Sequence, residues 1–149
     1  MRAAVVCDSS CLIALERIGH LDLLPALFDP IQAPPAVREE FGSTLEWLRI
    51  EVPADRALVT ALGMLMGPGE AEAVALASER RLPIILDDRQ ARAVARKLDL
   101  QIMGTVAVLV RAKKQGLIQA IRPLLDTLAE HEFRLSEALR QEALRLAGE

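Results

Sequence analysis

The run Ala3-Ala4-Val5-Val6-Cys7-Asp8-Ser9-Ser10 decides the fold. Its first five residues are small, β-branched or a thiol, with no polar break. That is the pattern of a strand buried on both faces, as at the centre of a parallel sheet. The run stops at an acid and two hydroxyls, and a helical pattern begins. Leu12, Ile13, Leu15 and Ile18 make one apolar face, and Gly19 ends it. Asp8 therefore falls where a strand ends and a helix opens. In open α/β sheets that carboxyl edge is where ligands and chemistry collect.

Working outward, the same alternation recurs. Leu21 to Phe28 reads as a short apolar helical piece, broken by Asp29-Pro30. Ile31-Gln32-Ala33 is a short strand, and Pro35 suits the first position of a helix from Ala36 to Phe41. Trp47 to Val52 alternates like a half-buried edge strand, and Ala54 to Met66 reads as helix. Gly67-Pro68-Gly69 reads as a turn before an alanine-rich helix from Glu70 to Arg80. Pro83-Ile84-Ile85-Leu86 is a second fully buried strand, ending at Asp87-Asp88. A helix from Arg89 to Leu98, a strand from Leu100 to Met103 and a helix from Gly104 to Gln115 follow. Two more helices are expected, one starting at Pro123 and one capped by Ser136. Strands alternating with helices predict a three-layer α/β/α sandwich with a mainly parallel sheet, plus carboxy-terminal helices. A single domain over 1–149 is expected, with residues to about 104 forming the α/β core and about 105–149 the helical part.

Composition bounds the function. The chain has 149 residues, of which 52% are hydrophobic and only 3% aromatic, so its core is aliphatic. A net charge of −3 argues against a basic coat over the whole surface, though a local basic patch is compatible with it. Cys7 and Cys11 lie in a buried strand and at a helix start, and read as small buried hydrophobes rather than a disulfide. The amino terminus runs straight into a strand, so no signal peptide is expected. No apolar run reaches the roughly 18 residues of a membrane span. A cytoplasmic location follows as an expectation.

The acids carry the chemistry. Asp8 ends the first strand, and Asp87 and Asp88 end the fourth. Glu39 and Glu40 lie on the helix after the second strand, and Glu70 and Glu72 open the alanine-rich helix. Each has a structural use: the aspartates can cap helices, and negative charge in a first turn suits the helix dipole. Together they say more. If the first and fourth strands are neighbours, Asp8 and Asp88 stand side by side, with Glu40 and Glu70 at adjacent helix starts. Two carboxylates about 4 Å apart repel by roughly 4 kcal/mol at an effective dielectric near 20. Such a cluster protonates or takes cations, and an all-oxygen donor set suits Mg2+ or Mn2+. Two histidines, His20 and His131, and no CxxC pattern make zinc a poor fit.

These blocks, in this order, resemble the PIN-domain family of metal-dependent ribonucleases, which includes many prokaryotic toxins. Val5-Val6-Cys7-Asp8-Ser9-Ser10-Cys11-Leu12-Ile13-Ala14-Leu15 is similar to the family's opening strand, first acid and adjacent hydroxyl. Ala33-Pro34-Pro35-Ala36-Val37-Arg38-Glu39-Glu40-Phe41 is similar to the segment of the second acid. Gly69-Glu70-Ala71-Glu72-Ala73-Val74-Ala75-Leu76-Ala77 is similar to the third, and Ile85-Leu86-Asp87-Asp88-Arg89 to the fourth. The Gly67-Pro68-Gly69-Glu70 and Met103-Gly104-Thr105 segments and the tail through Gly116-Leu117-Ile118 resemble a less characterised PIN-like subgroup. The resemblance implies a catalytic and metal site of Asp8, Glu40, Glu70 and Asp88, with Ser9, Asp87 and Glu72 as auxiliaries. The family's third acid is usually aspartate; here Glu70 or Glu72 fills the role, and the two point about 200° apart on a helix. Glu70 is favoured because it opens the helix. Leu86 stands where many members carry Ser or Thr.

The implied activity is hydrolysis of RNA phosphodiesters with Mg2+ or Mn2+, as a homodimer and with a possible antitoxin partner; the alternative is a PIN-fold binding or regulatory module of little or no activity. RNA approaching an acidic cleft needs a basic rim. Arg89, Arg92 and Arg96 recur at helical spacing after Asp88, Arg38 precedes the Glu39-Glu40 pair, and Arg111, Lys113 and Lys114 lie further on. With one Trp, three Phe and no Tyr, backbone and shape are expected to outweigh base stacking. Trp47 reads as core or interface, and Leu62, Met64, Leu65 and Met66 as core or subunit contact.

Overall fold

A computed structural model describes residues 2–149. Val5, Val6 and Cys7 are fully buried at the end of β1 (Ala3–Cys7), which lies at the centre of the sheet. Beyond it come α1 (Ser9–Arg17), α2 (Leu23–Leu27) and β2 (Phe28–Ala33). Next are α3 (Pro35–Phe41), β3 (Leu48–Ile50), α4 (Arg56–Gly63), α5 (Pro68–Arg80) and β4 (Ile84–Ile85). The chain closes with α6 (Arg89–Lys97), β5 (Ile102–Met103), α7 (Thr105–Lys114), α8 (Arg122–Glu130) and α9 (Glu137–Leu146).

The sheet order is β3-β2-β1-β4-β5, and every pairing is parallel. From β1 the chain moves outward to β2 and β3, then returns to the other side of β1 for β4 and β5. Right-handed crossovers in opposite directions put their helices on opposite faces, which gives the three layers. α2 packs against β2 and α7, and α5 packs against β1 and β4. Val6 pairs with Ile84 and Cys7 with Ile85, so β1 and β4 end side by side. Strand order reverses at that point, and Asp8 and Asp87-Asp88 follow directly. Ile121, Leu125, Leu128, Ala143 and Leu144 join the same continuous core, so the carboxy-terminal helices pack onto the α/β unit.

Several boundaries differ from the sequence reading. Gly67 is the N-cap of α5 and Pro68 its first residue, so the expected Gly-Pro-Gly turn is the start of the helix itself. Proline lacks the N–H that a first helical position leaves unused. Strand β2 begins at Phe28, three residues before the expected start, and α4 is shorter at both ends than the predicted 54–66. α4 ends at Gly63; of the apolar run, Leu62 is buried and Met66 packs partly buried against the core. Met64 and Leu65 fall beyond the helix and are 81% and 49% exposed, so they are not core. Trp47 packs partly buried against the core. Cys7 and Cys11 are both buried and unbridged, as expected. No helix among the described residues is long and apolar enough to cross a membrane.

Candidate functional site

Asp8 is only 1% exposed, and its Oδ1 accepts the Ser9 N–H at 2.8 Å as the N-cap of α1. The helix start that follows β1 thus holds the carboxylate at the sheet edge. Ser9 Oγ donates to Glu40 Oε1 at 2.7 Å, which ties the last turn of α3 to the first turn of α1. The other Glu40 oxygen accepts the Gly69 N–H at 3.2 Å. That bond draws the first turn of α5 against α3. A Cβ on Gly69 would lie 2.7 Å from Glu40 Cδ and 2.8 Å from Oε2. Glycine suits this position because the last turn of α3, not its expected first turn, brings the Glu40 carboxylate against the start of α5, rather than because of its backbone angles.

Glu70 follows directly, and its Oε2 is buried with no hydrogen-bond partner. Burial raises its carboxyl above the usual range, and the neighbouring charges of Asp88 and Glu40 raise it further. Asp8 is pushed up to about 7, first by burial and then by Glu70, Glu40 and Asp87, against the lowering effect of the Ser9 N–H. Asp88 caps α6 by accepting the Ala91 N–H at 2.9 Å through Oδ2. So Asp8, Glu40, Glu70 and Asp88 come from four elements into one electrostatically coupled crevice. Glu72 turns away, and its Oε1 faces the Ala36 N–H at 3.4 Å near the start of α3. Of the two candidate glutamates, Glu70 is the one in the crevice. Glu39 is exposed on α3.

Asp87 has a different setting. Its Oδ1 accepts the Thr105 N–H at 2.9 Å and its Oδ2 the Thr105 hydroxyl, so it caps α7 from across the sheet edge. Burial raises its carboxyl, while the Thr105 bonds and the Arg92 charge pull it down. Thr105→Val is expected to destabilise the fold by about 1–3 kcal/mol, because it strips the hydroxyl from a buried carboxylate. That bond favours the charged acid, so the loss should be larger at pH 8 than at pH 5. Urea melts at the two pH values check this. Leu86, just before, is fully buried; its N–H donates to the Met103 carbonyl at 2.8 Å, and its carbonyl accepts from Arg92 Nη1 at 2.9 Å.

The basic candidates divide. Arg89, Arg92 and Arg96 line a cavity that also touches Glu70, Asp87 and Asp88. Arg38 is exposed on α3 and does not line it. Arg111 instead stands over the Phe28 ring, 5.3 Å from its centroid, and Lys113 pairs with Glu149 at 3.0 Å. Both are engaged in holding the fold. Sequence reasoning gave no role to Gly69 or Thr105, and did not bring Arg17 or the stretch from His131 to Arg134 to the site. Thr105 follows Gly104 at a helix start, which is a capping signal; the others carry no local signal.

Among the described residues, no three acidic, histidine or cysteine side chains are placed, as they stand, to hold a metal ion. The donor chemistry nevertheless fits a hard divalent cation. The crevice is all oxygen, one of its oxygens is orphaned in a buried position, and burial with the neighbouring carboxylates raises one carboxyl to about 7.

Comparison with known families gives a match over residues 4–149 to a family model described as "DUF3368: PIN domain". No curated protein and no solved structure matches the chain. PIN domains are in general nucleases that use divalent metals. With a matching family model over nearly its whole length and an all-parallel sheet that sets acids at the β1–β4 edge, this chain belongs to the PIN-domain family.

Proposed function

We propose that the protein is a Mg2+- or Mn2+-dependent endoribonuclease. One observation carries the reading: carboxylates from four separate elements gather at the carboxyl edge of the sheet, where burial of Asp8 and the charges of Glu70, Glu40 and Asp87 raise it to about 7. A fold tolerates such a cluster at a cost of stability, which its function has to explain. Asp8, Glu40, Glu70 and Asp88 would hold the metal, which when bound lowers the pKa of a water and stabilises a leaving oxygen.

The chain's own groups do the rest. Ser9 Oγ and the Gly69 N–H fix both oxygens of Glu40, so this carboxylate is held in place before substrate arrives. The caps of α1 and α6 orient Asp8 and Asp88 in the same way. Arg89, Arg92 and Arg96 supply positive charge for the RNA backbone. In the hydrolysis, a water oxygen bonds to phosphorus, the bond to the 3′ oxygen breaks, and that oxygen takes up a proton. The toxin half of a toxin–antitoxin pair, and a homodimer, are the assemblies the resemblance implies. Exposed Val52, Met64 and Leu65 are apolar surface that such an assembly would cover.

A second reading, a PIN fold that binds without turnover, is favoured by the lack of a ready three-ligand arrangement. One experiment separates the two. Wild type, Asp8→Asn and Asp88→Asn are incubated with mixed-sequence single-stranded RNA in Mg2+, Mn2+ or EDTA. The nuclease reading expects cleavage that needs metal and is lost in both variants. Absence of cleavage by wild type with either metal, or cleavage that persists in both variants, overturns it.

A further inference from the structure

A cavity of about 770 Å3 runs from the acid crevice to the turn between α8 and α9. Five arginines line it: Arg89, Arg92 and Arg96 of α6, Arg17 of α1, and Arg134 beyond α8. Spacings of three and four residues put the α6 group on one helix face. Elsewhere on the surface Arg2, Arg80, Arg140 and Arg145 pair with carboxylates. Among the described residues none of the five does. Arg92 spends one N–H on the Leu86 carbonyl, and Arg17 Nη1 lies 3.5 Å from the His131 carbonyl. Glu70, Asp87, Asp88 and Glu132 line the same hollow and Arg92 acts on Asp87, so five guanidiniums face four carboxylates with no ion pair closed among them, and the α6 arginines keep N–H groups for a phosphate chain.

The hollow is not built for an anion alone. Val106 and Leu128 give it an apolar lining, and its size is that of pockets enclosing a drug-sized organic ligand. Of the chain's four aromatic residues only Phe133 lines it, partly buried. Phosphates, an apolar body and an aromatic face are together the requirements of a nucleotide whose base is free to leave its stack.

We propose that this cavity is a subsite for single-stranded RNA, in which phosphates lie along the α6 arginines and one unpaired base stacks on Phe133, with the turn from His131 to Arg134 as the second wall. The proposal rests on the nuclease reading and names the residues, Phe133 and Arg134, that would hold an unpaired base beside the crevice. A base held in a duplex cannot present its face to Phe133, so duplex RNA reaches only the arginines.

The test reads binding rather than cleavage. A short fluorescein-labelled single-stranded RNA of mixed sequence is titrated by anisotropy in EDTA, across a salt series, beside the same sequence as a duplex. The proteins are wild type, Phe133→Leu, Arg134→Gln and Arg96→Gln, each checked by circular dichroism melting. Phe133→Leu should weaken single-strand binding roughly tenfold, leaving duplex binding and the salt slope unchanged. Each arginine variant should flatten the slope of log affinity against log salt by about 0.7. An unchanged single-strand affinity in folded Phe133→Leu, or an equal loss for the duplex, overturns the stacking role. Should Phe133→Leu fail to fold, the two exposed arginine variants decide, and unchanged slopes overturn the subsite. The two proposals fail separately. RNA bound in this pattern but never cut removes the nuclease and keeps the subsite; metal-dependent cutting with no effect of Phe133 or Arg134 does the reverse.

Discussion

Asp8→Asn is expected to lower RNA cleavage on the order of a thousandfold while making the metal-free protein more stable at neutral pH. The first effect follows from removing one charged donor from a site whose electrostatic contribution is several kcal/mol, at about 1.4 kcal/mol per factor of ten. The second follows from the pKa. Asp8 sits at about 7 in the folded chain against 3.8 as its ordinary value. The folded state therefore binds more protons than the unfolded state between those values. Stability contributed by this group is full below about pH 4, declines as the pH climbs through about 7, and stays low above that. The ceiling is about 4 kcal/mol, from about 1.4 kcal/mol per pH unit. Asparagine keeps an acceptor for the Ser9 N–H and never charges. In EDTA the variant should therefore melt above wild type at pH 8, and the two should converge toward pH 4. Mn2+ should raise the wild-type melting temperature at pH 8 and leave the variant nearly unmoved. Equal melting curves at pH 8 in EDTA would show that Asp8 carries no unfavourable charge.

Gly69→Ala is expected to destabilise the fold and to cost activity, against the usual sign for this substitution. Within a helix, Gly to Ala ordinarily stabilises by about 0.5–1 kcal/mol. Gly69 is in the first turn of α5, yet its missing Cβ is the space occupied by the Glu40 carboxylate. The methyl would push Glu40 off both the Gly69 N–H and Ser9 Oγ. Overpacking of this kind costs about 1–3 kcal/mol, so the net change should be a loss of roughly 1–2 kcal/mol. Cleavage should fall at least tenfold, since Glu40 no longer stands with the other acids. A control at Gly63, where a Cβ meets nothing within 4 Å, should not lose stability. Urea melts of the two variants give the comparison directly, and a stabilised Gly69→Ala would refute the packing argument.

Particular residues show what the sequence could and could not disclose. The apolar run Val5-Val6-Cys7 and the run Ile84-Ile85-Leu86 are legible as buried strands because no polar residue interrupts them. An acid after each then marks the edge where the strands end. Parallel pairing of β1 with β4 was a condition of the reading, and the register of Cys7 with Ile85 meets it. The helix start at Pro68 was harder: Gly-Pro-Gly is turn chemistry, yet proline also suits a first helical position, and α5, beginning at that residue, packs on β1 and β4. Glu70 and Glu72 could be separated in direction from sequence, but not assigned to a face with certainty until α3 was in place beside them. Thr105 and Gly69 escaped because each acts on a partner far along the chain, Asp87 and Glu40, with nothing local to announce it. Arg17 stands at the far end of α1 and Arg134 beyond α8, and only the folded chain puts both on one cavity with the crevice acids.

The order β3-β2-β1-β4-β5 has a consequence for how the molecule comes into being. Every neighbour of the central strand arrives from a distance, and β4 pairs with a segment nearly eighty residues earlier. Pairings of such separation are entropically costly to close, and chains dominated by them fold slowly. Asp8, Glu40 and Glu70 can meet through α1, α3 and α5, but Asp87 and Asp88 join them only when β4 docks on β1. During synthesis the chain therefore passes through a long interval with its helices forming and its crevice not yet complete. The wall that carries Phe133 and Arg134 is made last of all, from residues that leave the ribosome after every acid of the crevice.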